Sequence, residues 1–295
     1  MRKPRAVLGI EPISIPPLPG WIGSNLAENA EMAAFRAGAT LAHLGTVGAA
    51  KDLPLALWRD QLALRAAEAC VGFSGRREGQ GALRDAVHMT RAGDDPGPAG
   101  RVLRQWSLAV ARPITVGHLA KALEGLSPER IGMCLDATGG TPVERAANVL
   151  EAVLEGNPRA ETEALILADA VLAVSMRQTH ILPLLALALK PRDLRLRGEE
   201  LRLACHRAVV LGAGQAVPLA AELVRAAARL RAVVPKLRAR GAARAVDLFL
   251  SRDVLAPSAL DFMSDRAARR LCERLVELGA IRELTGRDTF RLYGV

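Results

Sequence analysis

Aromatic residues are scarce in this 295-residue chain, at 3%, although half of its residues are hydrophobic. Its core must therefore be built mainly from Leu, Ala and Val. Small and straight-chain residues of this kind favour packed helices over sheets. The composition predicts a mostly α-helical protein with one large or two ordinary domains.

Paired cysteines and metal-binding histidine spacings are also lacking. Cys70, Cys134, Cys205 and Cys272 lie far apart, and none belongs to a CxxC pair. The spacing favours neither a disulfide framework nor a zinc site. The five histidines show no HExxH or HxH spacing. We therefore expect the cysteines to act as small apolar residues in a reducing compartment, and we expect no cofactor.

No uninterrupted apolar run marks a signal peptide or a membrane span. Glu11 and several prolines interrupt the N-terminal segment, and the most apolar tract, residues 164–189, contains Asp169, Arg177 and His180. We therefore expect a cytoplasmic protein without membrane contact, in which this tract forms a buried helical hairpin. Asp169 would need a partner there, and Arg177 or His180 could form an ion pair with it. A catalytic acid is the alternative.

Turn-forming residues and periodicity divide the chain into three parts. Residues 1–28 form an extended, proline-rich segment, in which Trp21 could bind a partner or anchor the segment to its own domain. Residues 29–240 have helical periodicity and predict an all-helical domain, a multi-helix bundle. Residues 241–295 form a further domain. Late in the bundle we expect two long helices, over 198–211 and 216–234, with Pro235 ending the run.

Two features of the predicted bundle have alternative interpretations. Residues 114–132 have a helix–turn–helix pattern with Gly125 at the turn, which two ordinary packed helices would produce equally. The loop over residues 91–100 carries Asp94 and Asp95, which could bind a metal ion with Asp85. Aspartates in such turns also cap backbone N–H groups.

Positive charge is concentrated late in the chain. The formal net charge is +9, and residues 223–246 contain seven Lys or Arg residues and no acid. Such a run benefits from an anionic partner, which could be nucleic acid. It could equally be a solvated helix face, and an arginine-rich composition also arises from a GC-rich genome.

The last 55 residues, from 241, predict a winged helix–turn–helix. A first helix covers 243–250, a short second element 257–261, and a third helix begins after Ser264 as N-cap and ends at Gly279. Two strands, over 280–284 and 289–295, would form the wing. Alternation directs Ile281, Phe290 and Leu292 inward.

The third helix is predicted to be amphipathic, with its leucines and Val276 inward and its arginines outward. A helix presenting arginines can enter the DNA major groove, and a basic wing can reach neighbouring phosphates. The candidate DNA-binding residues, in the helix, the wing and the preceding basic run, are Arg266, Arg269, Arg270, Arg274, Arg287, Arg291, Arg238 and Arg240. Glu273 and Glu277 share the helix face and would repel phosphates, so a protein interface and a purely structural cap remain alternatives.

Residues 264–295 resemble the winged-helix tail of Fic proteins, through Ala-Arg-Arg, a leucine-rich helix, the LVELGAIRELTGR sequence and a final Arg-Leu-Tyr. The resemblance implies that the helical body could be a degenerate Fic-like bundle. Fic enzymes use a His-Pro-Phe…Gly-Asn-Gly-Arg loop, whose histidine acts as general base and whose glycines hold phosphates. His180 is followed by Ile181 and Leu182, and no such loop occurs. The resemblance therefore implies that Fic chemistry has been lost.

More of the chain resembles an alphaproteobacterial domain-of-unknown-function family, number fourteen-oh-three. The resemblance is carried by PPLPGW at 16–21, LALRAA at 62–67, GRRE at 75–78, LRDA at 83–86, GDDPGPAGR at 93–101, LADAVLA at 167–173, PKLRARGA at 235–242 and the C-terminal tail. It covers nearly the whole chain and implies no particular activity.

These observations favour a non-enzymatic DNA-binding or regulatory protein that acts through its C-terminal winged helix on double-stranded DNA. A protein-interaction scaffold, with a protein partner or self-association, is the alternative. An enzyme of unrecognised type using the Asp94 and Asp95 loop is a further one.

Overall fold

The computed structural model describes residues 15–23, 29–91, 93–287 and 290–295, and it confirms a mostly α-helical protein. The described residues form the helices α1 (Gly20–Gly23), α2 (Ala30–Gly48), α3 (Leu55–Phe73), α4 (Gln80–His88), α5 (Gly97–Ala111), α6 (Val116–Leu119), α7 (Pro128–Leu135), α8 (Pro142–Gly156), α9 (Glu161–Ser175), α10 (Gly198–Val233), α11 (Ala242–Phe249) and α12 (Asp265–Glu277). Strands β1 (Arg282–Glu283) and β2 (Tyr293–Gly294) pair antiparallel.

Local sequence explains where several helices begin. Thr141 and Glu144 form a capping box at the start of α8, each side chain accepting a hydrogen bond from the other residue's backbone N–H. Asn29 and Ser127 cap α2 and α7 through their side-chain oxygens. These starts were predictable because the interactions span only three residues.

The body of the molecule is a helical bundle with a core of Leu, Ala and Val. Within it α8 packs along α9, α3 packs along α5, and α10 packs against α2 and α8. Helix α9 is buried along most of its length. The helix–turn–helix-like sequence at 114–132 lies across α6 and the start of α7, two short helices of four and eight residues.

Helix α10 corrects the expectation of two separate helices over 198–211 and 216–234, because it continues unbroken for 36 residues. Pro218 lies inside it and is exposed. The hydrogen bond that Pro218 cannot donate would reach the carbonyl of Gly214, which is also exposed and can be solvated. The helix then ends at a 3-10 turn, Val234–Lys236, which contains Pro235 as expected.

Residues 198–236 are long and apolar enough to cross a membrane by length and composition, but 61% of their most apolar window is buried inside the protein. Burial of this extent is typical of a core helix. The length and composition of this helix are therefore only weak evidence for a membrane span.

The buried apolar residues form two clusters, and α10 contributes to both. Its residues up to Val224 belong to the large cluster of the body, whereas Ala227, Leu230 and Val233 belong to the C-terminal cluster with α11, α12 and the β-hairpin. The division between the clusters therefore falls within one helix.

A bidentate ion pair fastens the C-terminal unit, residues 241–295, to the body. Arg84 of α4 contacts Asp253, which follows α11, through Nε–Oδ2 and Nη2–Oδ1 distances of 2.6 and 2.9 Å. The backbone N–H of Asp253 also donates to Asp60 of α3, at 2.8 Å. Burial raises the pKa of Asp60, although this hydrogen bond and nearby Arg252 and Arg84 oppose the rise.

Candidate nucleic-acid interface

The C-terminal unit combines helices with a small sheet in a fixed order. After α11, Leu255 pairs with Tyr293, each backbone N–H donating to the other residue's carbonyl at 2.8 and 2.9 Å. A 3-10 turn, Pro257–Ala259, and α12 follow, and β1 and β2 close the unit. Leu255 thus forms an isolated antiparallel β-bridge with Tyr293 of β2, beside the β1–β2 pair.

Both ends of α12 are capped by the residues that the sequence predicts. The Ser264 hydroxyl accepts from the Ala267 N–H at the N-terminus. At the C-terminus Gly279 has φ +66°, its N–H donates to the Val276 carbonyl, and the Ala280 N–H donates to the Leu275 carbonyl. This pair of hydrogen bonds is the Schellman motif, which favours glycine at the left-handed position.

The amphipathic pattern of α12 is confirmed. Ala268, Leu271, Cys272 and Leu275 are buried in the C-terminal cluster, and burial raises the pKa of the Cys272 thiol to about 12. Val276, predicted to face inward, is 37% exposed. Every arginine of the helix is exposed. The helix therefore offers its charged side chains to a partner.

A groove runs between α12 and the segment that follows α10, with a volume of about 710 Å³. We call it the basic groove, because its lining contains the cationic residues Lys236, Arg238, Arg266, Arg270 and Arg274. No acidic residue that the structure describes lines the groove. Five cations therefore face one groove, and its described lining contains no acid between them.

Few ion pairs compete for the cations of the basic groove. Arg274 contacts Glu277 at 2.9 Å, but both side chains are more than half exposed. Such pairs are worth about 0–1 kcal/mol, so an anionic ligand could replace Glu277 at small cost. Arg266 and Arg270 form no ion pair with any residue that the structure describes. Their charge is available to a ligand.

The other exposed edge of α12 has a mixed charge. Arg269 contacts Asp265 at 2.8 Å, and both line a second groove that also contains Glu273. Arg269, which the sequence analysis placed with Arg266 and Arg270, therefore lies on a different edge from the basic groove.

The remaining predicted arginines lie outside the basic groove. Arg287 is half exposed and contacts Asp85 of α4 at 2.7 Å, and Arg291 is half-buried, with its Nε donating to the Arg287 carbonyl. Arg240 is exposed and precedes α11. The structure thus brings together Arg238, Arg266, Arg270 and Arg274 of the eight predicted residues.

Phe290 corrects the predicted alternation of the hairpin. Ile281 and Leu292 are buried as expected, but Phe290 is 80% exposed. Its backbone has φ +57°, which interrupts the extended conformation that alternation requires. Phe290 lies beside Pro257 and Tyr293 in the second groove.

Lys236 is the groove residue that the candidate set omitted. It belonged to the basic run over 223–246, but only the position of the 3-10 turn shows that it faces α12. Arg225 and Arg229 of the same run lie elsewhere, in a groove that also contains Glu222.

Asp95 has local partners in the 91–100 loop, where residue 92 lies outside the described residues. Its carboxylate accepts from the Gly97 N–H and contacts Arg101 at 3.0 Å. Asp85, the third proposed metal ligand, pairs with Arg287. Among the described residues no three His, Cys, Asp or Glu side chains are grouped as a metal site would require.

Asp169 corrects the expectation of an ion pair with Arg177 or His180. It is 1% exposed, and its oxygens accept hydrogen bonds from the backbone N–H groups of Leu184 and Leu185, at 3.1–3.2 Å. Burial raises its pKa to about 7, although these backbone donors oppose the rise. Asp169 therefore attaches the segment after α9 to that helix.

Comparison with known families gives one match that spans almost all of the chain. A search of curated proteins finds no relative. The family model described as "Protein of unknown function (DUF1403)" matches residues 10–295, which include the basic groove, Asp169 and the whole C-terminal unit. The chain therefore belongs to the DUF1403 family.

Proposed function

We propose that this protein binds double-stranded DNA, without enzymatic activity, through the basic groove of its C-terminal unit. The observation that carries the proposal is the meeting of Lys236, Arg238, Arg266, Arg270 and Arg274 around one groove whose described lining residues include no acid. Uncompensated cations on one surface repel one another. A regularly spaced polyanion relieves this repulsion and releases its own counterions.

The order of elements in the C-terminal unit supports a winged helix–turn–helix as the fold of this interface. The order is α11, the Leu255 β-bridge, the 3-10 turn, α12, β1 and β2. In a helix–turn–helix the later helix is the one that enters the major groove. In this proposal α12 is that helix and the β1–β2 hairpin is the wing.

The charge pattern of α12 indicates which of its edges meets DNA. Arg266, Arg270 and Arg274 are spaced by four residues and follow one edge of the helix, toward Lys236 and Arg238. Glu273 and Asp265 occupy the other edge. We expect the basic edge to contact phosphates and the first-turn residue Arg266 to approach the base edges.

The test is fluorescence anisotropy with a labelled mixed-sequence duplex of about 25 base pairs, over a salt series. With five phosphates neutralised, log K should fall against log salt with a slope of about −4.5, a loss of about 500-fold between 50 and 200 mM. Arg266→Gln with Arg270→Gln should weaken binding at 50 mM salt and reduce the slope by about 2.

Arg269→Gln is the matched control, because Arg269 lies on the same helix, is also exposed and has Asp265 as its partner. It should change affinity less than the double variant does. Absence of binding at 50 mM salt, or equal loss in the control and the double variant, contradicts the proposal. Circular dichroism shows whether each variant retains its helices.

The second groove favours a protein partner as an alternative function. Phe290 is 80% exposed beside Pro257, and an exposed aromatic residue next to mixed charges is typical of a protein contact. In that case Phe290→Ser would abolish co-purification with the partner, while the DNA affinity of the groove variants would be unchanged from the wild type.

The proposal also places the protein in the cytoplasm, where its DNA would be. A degenerate Fic-like body remains a proposal supported by the resemblance of the C-terminal tail alone.

A further inference from the structure

A cavity in the helical body, apart from the basic groove, is a second candidate site. This cavity, of about 420 Å³, opens between α2, α3, the end of α9 and the segment after α9. This volume falls in the range of small-molecule pockets, about 300–1,000 Å³. Most of its wall is apolar, with Leu44, Trp58, Leu172, Met176 and Leu184 among the lining residues.

Arg59 is the most unusual group in the cavity wall. It has no ion-pair or hydrogen-bond partner among the described residues, and its Nε is buried without a partner. Burial lowers the pKa of its guanidinium. Arg59 is half-buried, and a guanidinium that is partly desolvated and unpaired is costly. An anion bound at its accessible edge in the cavity wall would offset that cost.

The other polar residues that line the cavity are His180, Thr179, Gln178 and Asp169. His180 also lines the cavity, and Arg59 is close enough to lower its pKa, after the larger effect of burial. Thr179 and Gln178 are exposed in the same lining and supply hydrogen-bonding groups at the mouth. Asp169 also lines the cavity, but its oxygens accept hydrogen bonds from the backbone N–H groups of Leu184 and Leu185, and it forms no ion pair with Arg59.

We propose that this cavity binds a small organic acid, with its carboxylate on Arg59 and His180 and its apolar body against the leucines of α2 and α9. The guanidinium would donate to both carboxylate oxygens, a geometry that distinguishes a carboxylate from a neutral head group. The apolar wall would hold either a straight alkyl chain or an aromatic ring.

The test is isothermal titration of the full-length protein with octanoate and phenylacetate, and with octanol as the neutral control. We expect at least one acid to bind and octanol to bind about tenfold more weakly or not at all, because it lacks the charge-assisted hydrogen bonds. Binding of octanoate alone identifies an alkyl acid, and binding of phenylacetate alone identifies an aromatic acid. Trp58 in the wall provides a fluorescence readout.

Arg59→Met should reduce the affinity for the acid about tenfold or more and abolish the preference over octanol. Arg65→Met is its control, because Arg65 is half-buried on the same helix α3 but does not line the cavity. Arg59→Lys should recover part of the affinity, since a lysine keeps the charge without the planar donor pair.

Gly45→Leu tests the location without touching a charge. Gly45 lines the cavity, and a Cβ there meets nothing within 4 Å, so a leucine side chain would begin in open space at the mouth. Gly38→Leu places the same residue on exposed α2 backbone that does not line the cavity. Gly45→Leu should abolish binding and Gly38→Leu should preserve it.

Three results overturn the proposal. The first is that the wild-type protein binds neither acid at 1 mM, about the highest level expected for a physiological small-molecule ligand. The second is that octanol and octanoate bind equally well. The third is that the Gly45→Leu protein folds and still binds the acid. Thermal unfolding identifies folded variants, and a bound acid should raise the melting temperature of the wild type.

Discussion

Single residues determine how closely the elements of the body approach one another. A Cβ on Gly212 of α10 would lie 2.5 Å from the Leu184 carbonyl oxygen. Leu184 cannot retreat easily, because its N–H donates to Asp169. A glycine is therefore required at position 212 because a side chain would collide with Leu184. Its backbone conformation does not require glycine, since it is that of an ordinary helix.

Gly212→Ala should lower the free energy of unfolding by about 1–3 kcal/mol, because the added methyl group forces the backbone around Leu184 to move. Gly214→Ala, two residues away, should instead raise it by about 0.5–1 kcal/mol, since nothing lies within 4 Å and alanine favours the helix. Urea denaturation of the two variants measures both changes. Equal effects in the two would show that the Leu184 contact is unimportant.

Asp169 should make stability depend on pH in the direction opposite to that of a paired carboxylate. Burial raises its folded pKa to about 7, whereas the unfolded chain has the ordinary value, so the folded state binds more protons between these pH values. Its contribution to stability is complete below the ordinary pKa of an aspartate, declines as the pH rises toward 7, and is constant above. The thiols of Cys70 and Cys205 nearby have pKa values raised by burial and stay neutral throughout.

Asp169→Asn removes this titration while keeping an oxygen that can accept from Leu184 or Leu185. The melting temperature of the wild type minus that of the variant should therefore decrease from pH 4 to pH 7. A difference that stays constant over this range would contradict a raised pKa for Asp169.

At the scale of elements, the sequence was most informative where the determining contacts are local. Ser264 and Gly279 bound α12 through interactions that span a few residues, and the helical period separated Leu271 and Leu275 from the arginines. The number of outward arginines followed from this period. Which edge of the helix each arginine occupies did not.

That assignment depends on neighbours that the sequence does not bring close. Arg266 and Arg270 face the 3-10 turn at Lys236, whereas Arg269 faces Asp265 and the groove beside Phe290. The continuity of α10 was missed because the expected break, over 212–215, contains Gly212 and Gly214, which lower the local helix propensity. Tertiary packing overrides that propensity here, since Gly212 and Ala213 are buried.

At the scale of the whole molecule, the attachment of the C-terminal unit could not be predicted from sequence. Arg84 and Asp253 are separated by 169 residues, and no periodicity connects them. Their side chains are only 18% and 9% exposed, and the contact is bidentate. The pair is therefore much less screened than the ion pairs on the surface.

Arg84→Met should lower the free energy of unfolding by about 3 kcal/mol, because it leaves Asp253 buried without its cation. Arg76→Met, which breaks an exposed pair with Glu78, should change it by no more than about 0.5 kcal/mol. Urea denaturation again provides the measurement. Adding Asp253→Leu to Arg84→Met should recover part of the loss; a further loss would show that the two side chains stabilise the fold separately.

Helix α10 gives the molecule a stiff spine. Its 36 residues extend about 54 Å, and its two halves are built into different apolar clusters. A rotation of the C-terminal unit relative to the body would require α10 to bend or partly unfold. A flexible linker would allow such a rotation without that cost. A duplex held at one end and a small acid held in the body would consequently keep a fixed spacing and orientation.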